Sequence, residues 1–202
     1  MSKLARRLAL AGLLAALVPL AAAPLAAQTA PVTEGSLGDP AAPVTIIEYS
    51  SLTCPHCAAF QKETLPGLKT RYIDTGKVHF VMRDFPLDQI ALRAAVIAHC
   101  AGPERYPAFV DVFFQQQASW IRAADPVQAL KQLARLGGLG AEQADACLAD
   151  KAMEDAVLKS RLEAQQKFDV KSTPTFIVNG KSYSGEKSVE DFAAIIDPLL
   201  SH

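Results

Sequence analysis

Short apolar runs and longer amphipathic segments alternate along the chain. Val44–Tyr49 and Val78–Arg83 are compact runs of apolar and β-branched residues, and each run predicts a buried strand. Thr175–Val178 has the same character near the end of the chain. Asn179-Gly180 follows it and is a favoured two-residue hairpin turn, so Lys181–Ser184 is predicted to pair back antiparallel.

Helical patterns fill most of the remaining sequence. One helix is predicted to begin at Cys54 or Pro55, where proline is tolerated in the first turn, and to continue towards Tyr72. Residues 88–168 are almost wholly helical by pattern, with an Asp125-Pro126 start signal inside the run. The predicted order is β-α-β, a long helical stretch, then β-β-α. This order indicates an α/β sheet domain with a helical insertion rather than two consecutive domains.

The last helix carries its own start signal. Ser188 is placed to cap a helix over Val189–Leu200, and Asp191 lies three residues further on. This spacing resembles a capping box, in which the two side chains satisfy each other's backbone N–H groups.

The N-terminal segment has a different character from the rest. Three basic residues precede the apolar run 8–20, and small residues follow up to Ala27. This pattern predicts a secretory signal peptide over residues 1–27, cleaved after Ala27. A membrane anchor is the alternative, but Pro19 and Pro24 interrupt the run. A transmembrane helix needs about 20 consecutive apolar residues. Residues 28–43 are predicted to be an extended leader.

Charge excludes some classes of partner. The chain has 202 residues, 20 of them basic and 21 acidic, with a formal charge of −1. Removal of residues 1–27 would leave 17 basic and 21 acidic side chains, a charge of −4. No basic surface for nucleic acid or for an anionic membrane is therefore expected.

The four cysteines carry the candidate chemistry. Cys54 and Cys57 enclose Pro55 and His56 in a C-P-H-C motif that follows a predicted strand and opens a helix. A haem attachment site would need histidine directly after the motif, and a zinc site would need a second close cysteine pair. A static disulfide remains possible in principle, but it explains neither the helix-start position nor the histidine.

The position of Cys54 favours redox chemistry. Backbone N–H groups and the positive end of the helix dipole favour an anion at a helix start. A protonated or hydrogen-bonding His56 would add to this effect. We therefore expect the pKa of Cys54 to lie below the roughly 8.5 of a free cysteine. A stabilised thiolate favours the reduced pair, so the oxidised pair would oxidise other thiols.

The arrangement resembles the DsbA-type thiol–disulfide oxidoreductases. The resemblance rests on the C-P-H-C motif, on Ser172–Phe176 before the predicted hairpin, and on Arg83–Leu87, and it covers essentially the whole chain after the signal. It implies a thioredoxin fold with an inserted all-helical subdomain. Residues 44–87 and 169–202 would form the thioredoxin-like domain, and residues 88–168 the helical insertion.

The resemblance also implies roles for individual residues. Cys54 would be the exposed nucleophile and Cys57 its buried partner. Pro174 would be cis and lie against the disulfide, while the Thr173 backbone pairs with an extended substrate segment. Glu48 would assist proton transfer to or from Cys57. The alternative for Glu48 is a merely paired or edge-strand acid.

Two features leave alternatives open. Thr173 stands where the best-known strong oxidases of the family carry valine, whereas threonine is common in isomerase relatives and in some oxidases. This leaves the direction of net reaction open. Cys100 and Cys147 are expected to form a structural disulfide in an oxidising compartment, although a second redox pair is the alternative.

These observations lead to one expected function and two rivals. We expect a periplasmic dithiol oxidase that acts on reduced exported proteins, needs no organic cofactor or metal, and works as a monomer. The family suggests reoxidation by a quinone-linked membrane partner. The first rival is an isomerase or reductase of the same superfamily. The second is a copper- or haem-handling protein that uses the C-P-H-C thiols as ligands.

Overall fold

The computed structural model describes residues 35–201. The signal-peptide prediction for residues 1–27, and the first part of the predicted leader, lie outside the described residues. Within the described part, one mixed sheet has the strand order β1-β3-β2-β4-β5. Its strands are β1 Gly35–Leu37, β2 Val44–Ser50, β3 Val78–Asp84, β4 Thr175–Val178 and β5 Lys181–Ser184.

The pairing of the strands places β2 inside the sheet. β2 runs parallel to β3 and antiparallel to β4, and β4 and β5 form the predicted hairpin. The sequence pattern did not predict β1, which pairs antiparallel with β3 at one edge of the sheet. It arises in the segment expected to be an extended leader. Gly35 packs there against the ring of Tyr106, so a larger residue would collide with the ring.

The helix after β2 is continuous but not regular. It consists of α1 Pro55–Ala59, a π-helical turn Phe60–Thr64, α2 Leu65–Leu68 and a second π-helical turn Lys69–Ile73. The sequence predicted a single helix to Tyr72. Pro66 lies inside this path, and because proline has no N–H to donate, the regular ladder of hydrogen bonds is interrupted there.

The insertion is helical, as the pattern predicted, and contains six of the remaining described helices. They are α3 Gln89–Cys100, α4 Tyr106–Gln115, α5 Gln117–Ile121, α6 Pro126–Leu136, α7 Ala141–Ala149 and α8 Lys151–Phe168. The predicted Asp125 cap is present, with its side chain accepting from the Gln128 N–H at 3.0 Å. None of the described helices is both long and apolar enough to cross a bilayer.

The C-terminal helix α9, Val189–Ile196, begins with the predicted capping box between Ser188 and Asp191. It is shorter than predicted. Asp197–Leu200 continues it as a 3₁₀ turn, where Pro198 cannot contribute an N–H to an α-helical ladder.

Aromatic packing fixes the first helix on the sheet. The rings of Phe60 and Phe176 lie 4.7 Å apart, and those of Phe176 and Phe192 lie 4.9 Å apart. All three side chains are fully buried, so α9, β4 and the helix after β2 share one core. This packing anchors the helix that begins with the C-P-H-C motif. Burying aromatic side chains of this size stabilises such a core by roughly 2–3 kcal/mol each.

Candidate active site

Cys54 and Cys57 lie at the point where β2 turns into α1. Cys54 is the N-cap residue of α1, and its backbone N–H donates to the Ser51 carbonyl at 2.9 Å. Its sulfur accepts from the Cys57 backbone N–H at 3.4 Å. Both cysteines are free thiols in this structure. The helix start therefore directs an N–H group at the Cys54 sulfur, as the sequence predicted.

The chain brings a second segment to this sulfur from far along the sequence. The Thr173–Pro174 peptide bond is cis, and the Cys54 sulfur lies 3.4 Å from the Thr173 carbonyl oxygen. The Gly185 N–H donates to the Pro174 carbonyl at 2.9 Å, which holds the loop against the end of β5. The two motifs quoted from the sequence thus form one site.

The two thiols of this site are electrostatically different. The pKa of Cys54 falls from 9.0 to about 5, chiefly because the Cys57 thiol donates to the sulfur. Burial opposes this fall, whereas the Thr173 side chain and the backbone N–H groups of Cys57 and His56 add to it. The Thr173 hydroxyl is buried and makes no well-aligned hydrogen bond. Burial, the Cys54 hydrogen bond and the nearby Glu48 charge raise the pKa of Cys57 far above its usual range.

Exposure of the nucleophile differs from the expectation. The resemblance implied an exposed Cys54, but only 5% of the residue is accessible, compared with none of Cys57. The Thr173 carbonyl lies against the Cys54 sulfur, and a side chain from the helical insertion binds the Cys54 carbonyl. Both the sulfur and the backbone carbonyl of Cys54 are thus in contact with segments distant in sequence.

Glu48 lies in β2 and is 1% exposed. Burial, and secondarily the charge of Cys54, raise the pKa of Glu48 from 4.5 to about 8. Its Oε1 atom has no hydrogen-bond partner within the described part of the chain. The edge-strand alternative is wrong, because β2 lies between β3 and β4. A carboxyl in this position keeps its proton near neutral pH and lies close enough to Cys57 to raise the pKa of that thiol.

His56 acts differently from the expectation. Its imidazole Nδ1 lies 3.0 Å from Glu186 Oε2, on a surface where 69% of the His56 side chain is exposed. The support that His56 gives the Cys54 thiolate comes from its backbone N–H. Pro55 occupies the first helical position and is exposed. Glu186 could not be linked to His56 from the sequence, because 130 residues separate them.

One further residue of the site was missed by the sequence analysis. Gln117, at the start of α5, is 7% exposed and its Nε2 atom donates to the carbonyls of Leu52 and Cys54, both at 2.9 Å. A glutamine in an amphipathic helix has no local signal that distinguishes this role from a surface position.

The other cysteine pair lies within the insertion. Cys100 in α3 and Cys147 in α7 are joined by a disulfide, with their Cα atoms 6.2 Å apart. The neighbouring His99 does not form part of a metal site. Its Nε2 lies 2.5 Å from Asp84 Oδ2, and within residues 35–201 no group of three potential metal-ligating side chains is found.

Comparisons with known proteins agree with this geometry. The family model described as Thioredoxin matches residues 30–198. The crystal structure of alpha-DsbA1 from Wolbachia pipientis superposes with a TM-score of 0.76 at 34% identity, covering 82% of this chain and 90% of that one. The chain is a DsbA-type member of the thioredoxin family. The resemblance and the fold class inferred from the sequence are therefore confirmed.

Two further proteins are similar to this chain. A Rickettsia typhi protein named as a candidate protein-disulfide oxidoreductase is 33% identical over 166 residues, which is 81% of this chain. The chain spans 61% of that relative's length. A structure titled protein-disulfide isomerase from Novosphingobium aromaticivorans has a TM-score of 0.72 at 25% identity, covering 84% of this chain and 98% of that one.

Proposed function

We propose that this DsbA-type protein is a periplasmic dithiol oxidase that introduces disulfides into reduced exported proteins. The observation that carries the proposal is the asymmetry of the thiol pair at the helix start. The Cys54 sulfur accepts hydrogen bonds from a backbone N–H and from the Cys57 thiol, whereas Cys57 is fully buried beside Glu48. Such a site stabilises the reduced pair with a Cys54 thiolate, so the oxidised pair is a strong acceptor of electrons from substrate thiols.

The reaction follows from this asymmetry in two exchanges. A substrate thiolate attacks the Cys54 sulfur of the Cys54–Cys57 disulfide, forming a mixed disulfide as the bond to Cys57 breaks. Cys57 leaves with the electron pair and takes up a proton. We assign the supply of this proton to Glu48, the buried acid whose charge raises the pKa of Cys57. A second thiolate of the substrate then attacks the substrate sulfur of the mixed disulfide. Cys54 leaves as a thiolate, the substrate has lost two electrons, and the enzyme pair has gained them.

The cis-proline loop is proposed to hold the substrate during these exchanges. Thr173 and Pro174 lie beside the Cys54 sulfur, so an extended substrate segment that pairs with the Thr173 backbone would present its cysteine to that sulfur. The enzyme would then recognise the substrate through backbone hydrogen bonds and would accept many different substrate sequences.

Location and reoxidation form part of the same proposal. The signal-peptide pattern of residues 1–27 supports export to the periplasm. An oxidase that completes many cycles must also pass the electrons it takes from its substrates to another carrier. A quinone-linked membrane protein is the proposed acceptor, and the protein is proposed to act as a monomer. Sequencing the N-terminus of the exported protein tests the location, and a start at Gln28 is expected.

An isomerase or reductase is the second candidate. Thr173 before the cis proline favours it, as does the similarity to the Novosphingobium protein that is titled an isomerase. The reduction potential of the Cys54–Cys57 pair, measured against glutathione, separates the two. An oxidising value supports the oxidase, and a value near that of thioredoxin, about −270 mV, would favour a reductase.

Oxidation of a dithiol peptide by the purified, oxidised protein is the direct test. The wild-type protein should convert the peptide to its disulfide with one equivalent of enzyme reduced per peptide. Cys54→Ser should abolish the reaction, and Cys100→Ala with Cys147→Ala should leave it intact. Undiminished oxidation by the Cys54→Ser variant would refute the proposal.

A further inference from the structure

The loop before Cys54 is fastened to the helical insertion by one buried side chain. Gln117 of α5 donates from the same nitrogen to the Leu52 and Cys54 carbonyls, at 2.9 Å each. All three residues are at most 7% exposed. The two hydrogen bonds use both N–H groups of the Gln117 amide, so its nitrogen has no donor left for another partner.

The chemistry fixes the direction of this amide. Both partners are carbonyl oxygens, which can only accept, so the nitrogen end of Gln117 must face the loop. The Cys54 carbonyl also accepts from the Ala58 N–H at 3.2 Å as the first hydrogen bond of α1. Gln117 therefore binds the backbone carbonyl of the same residue whose sulfur performs the proposed exchange.

A second contact ties the same loop to the insertion. The Thr53 hydroxyl donates to Asp88 Oδ2 at 2.7 Å, and Asp88 caps α3 through its other carboxylate oxygen. The loop is thus held at Thr53 by α3 and at Leu52 and Cys54 by α5. Both α3 and α5 belong to the insertion, which contributes no sulfur to the exchange.

We propose that Gln117 is a positioning residue for disulfide exchange: it fixes the Leu52 and Cys54 carbonyls and so sets the redox equilibrium of Cys54 from within the helical insertion. The inference rests on the proposed function. Carbonyl oxygens carry partial negative charge, and a donor on the Cys54 carbonyl offsets that charge close to the sulfur. Without the donor, the thiolate is less stable and the loop is free to turn its carbonyls.

Gln117→Met tests the inference, because methionine has nearly the same length and no donor. We expect the titration midpoint of the Cys54 thiolate, followed by absorbance, to rise. We also expect the equilibrium constant for oxidising glutathione to fall by about three- to tenfold, where tenfold corresponds to about 30 mV. Trp120→Phe is the matched control. It removes a hydrogen bond from Trp120 to the Phe113 carbonyl inside the insertion and none from the loop.

A merely structural role predicts a different result. Both variants should then lose thermal stability while the midpoint and the glutathione equilibrium stay at the wild-type values, and this outcome would overturn the inference. A wild-type protein that does not exchange disulfides at all would instead refute the proposed function, whatever the variants show.

A measurement on the wild-type protein covers the case in which Gln117→Met fails to fold. The side-chain amide hydrogens of Gln117 should exchange slowly with solvent in nuclear magnetic resonance spectra, and their shifts should differ between the reduced and oxidised pair. Rapid exchange and unchanged shifts would also overturn the inference.

Discussion

Replacement of Glu48 by glutamine should make the reduced protein more stable at alkaline pH. Glu48 is 1% exposed and its Oε1 atom lacks a hydrogen-bond partner in the described part of the chain. Ionising a carboxyl in such a place is costly, because burial removes the water that would solvate its charge. Glutamine has nearly the same shape and never ionises, so it removes this cost and keeps the packing.

The size of the effect follows from the pKa of Glu48. Burial raises it from 4.5 to about 8. At about 1.4 kcal/mol for each pH unit, this gap is worth roughly 5 kcal/mol as an upper bound. The unfolded chain releases the Glu48 proton above pH 4.5, whereas the folded protein keeps it until about pH 8. The wild-type protein therefore loses stability relative to Glu48→Gln as the pH rises through this range.

Urea denaturation of both proteins under reducing conditions measures the difference. Trp120 is 1% exposed, so its fluorescence reports unfolding. At about pH 4 the free energies of unfolding should agree to about 1 kcal/mol, and at about pH 8.5 the variant should be more stable by several kcal/mol. Glu63→Gln, at an exposed position, is the matched control and should show no such change.

Two results would contradict this reasoning. A constant difference between wild type and Glu48→Gln across the pH range would mean that Glu48 ionises equally in both states. A variant that is less stable at high pH would mean that the Glu48 charge is stabilised by a partner. In the oxidised protein the difference should shrink, since the charge of Cys54, the second cause of the raised pKa, is then absent.

Further predictions concern the thiols and one helix cap. Cys57→Ser mixed with glutathione disulfide should form and keep a mixed disulfide, because the Cys54 thiolate displaces one glutathione thiolate and no Cys57 thiol remains to displace the other. Mass spectrometry would detect the product, and unmodified Cys54 throughout would contradict its role as the exchanging sulfur. Cys100→Ala with Cys147→Ala should lower the free energy of unfolding by up to about 4 kcal/mol in urea, and no loss would exclude a structural role. Ser188→Ala should cost about 1 kcal/mol in the same assay, because the capping box at α9 is lost. Because the pKa of Cys54 falls from 9.0 to about 5, the reduced protein should gain thermal stability over the oxidised one as pH rises through this range. That gain should be lost as the pH falls through about 5, and equal stability of the two forms at all pH values would refute it.

Local patterns were sufficient to predict much of the fold. The compact apolar run Val44–Tyr49, the Asn179-Gly180 turn and the Ser188 cap each depend on residues that are close in sequence. The strand, the hairpin and the cap are all present in the structure. The order of these elements predicted an α/β sheet domain with a helical insertion, and the resemblance to the DsbA-type proteins implied the thioredoxin fold. The short strand Gly35–Leu37 was missed because three residues carry too little periodicity to predict a strand.

The site was predicted less completely, for a different reason. The C-P-H-C motif and the Thr173–Pro174 pair are sequence signals, and the fold brings them to 3.4 Å. The contacts of Gln117 with Cys54 and of Glu186 with His56 join residues 63 and 130 positions apart. Such contacts depend on how the insertion and the β5–α9 loop pack onto the sheet, and no local spacing encodes that packing.

The arrangement of three buried acids explains why the proposed exchange has a direction. Cys54, Cys57 and Glu48 influence one another's pKa, so a charge on one disfavours a charge on the others. Cys54 alone lies at the helix start with backbone N–H groups directed at its sulfur, and so the single favoured charge belongs there. When Cys57 leaves the disulfide, its sulfur must be protonated at once, and the neutral carboxyl of Glu48 is the acid beside it. Once Glu48 has regained a proton from solvent, the reduced pair holds one thiolate and one thiol beside a neutral carboxyl. In the proposed oxidation, the stability of this state favours electron transfer from substrate to enzyme.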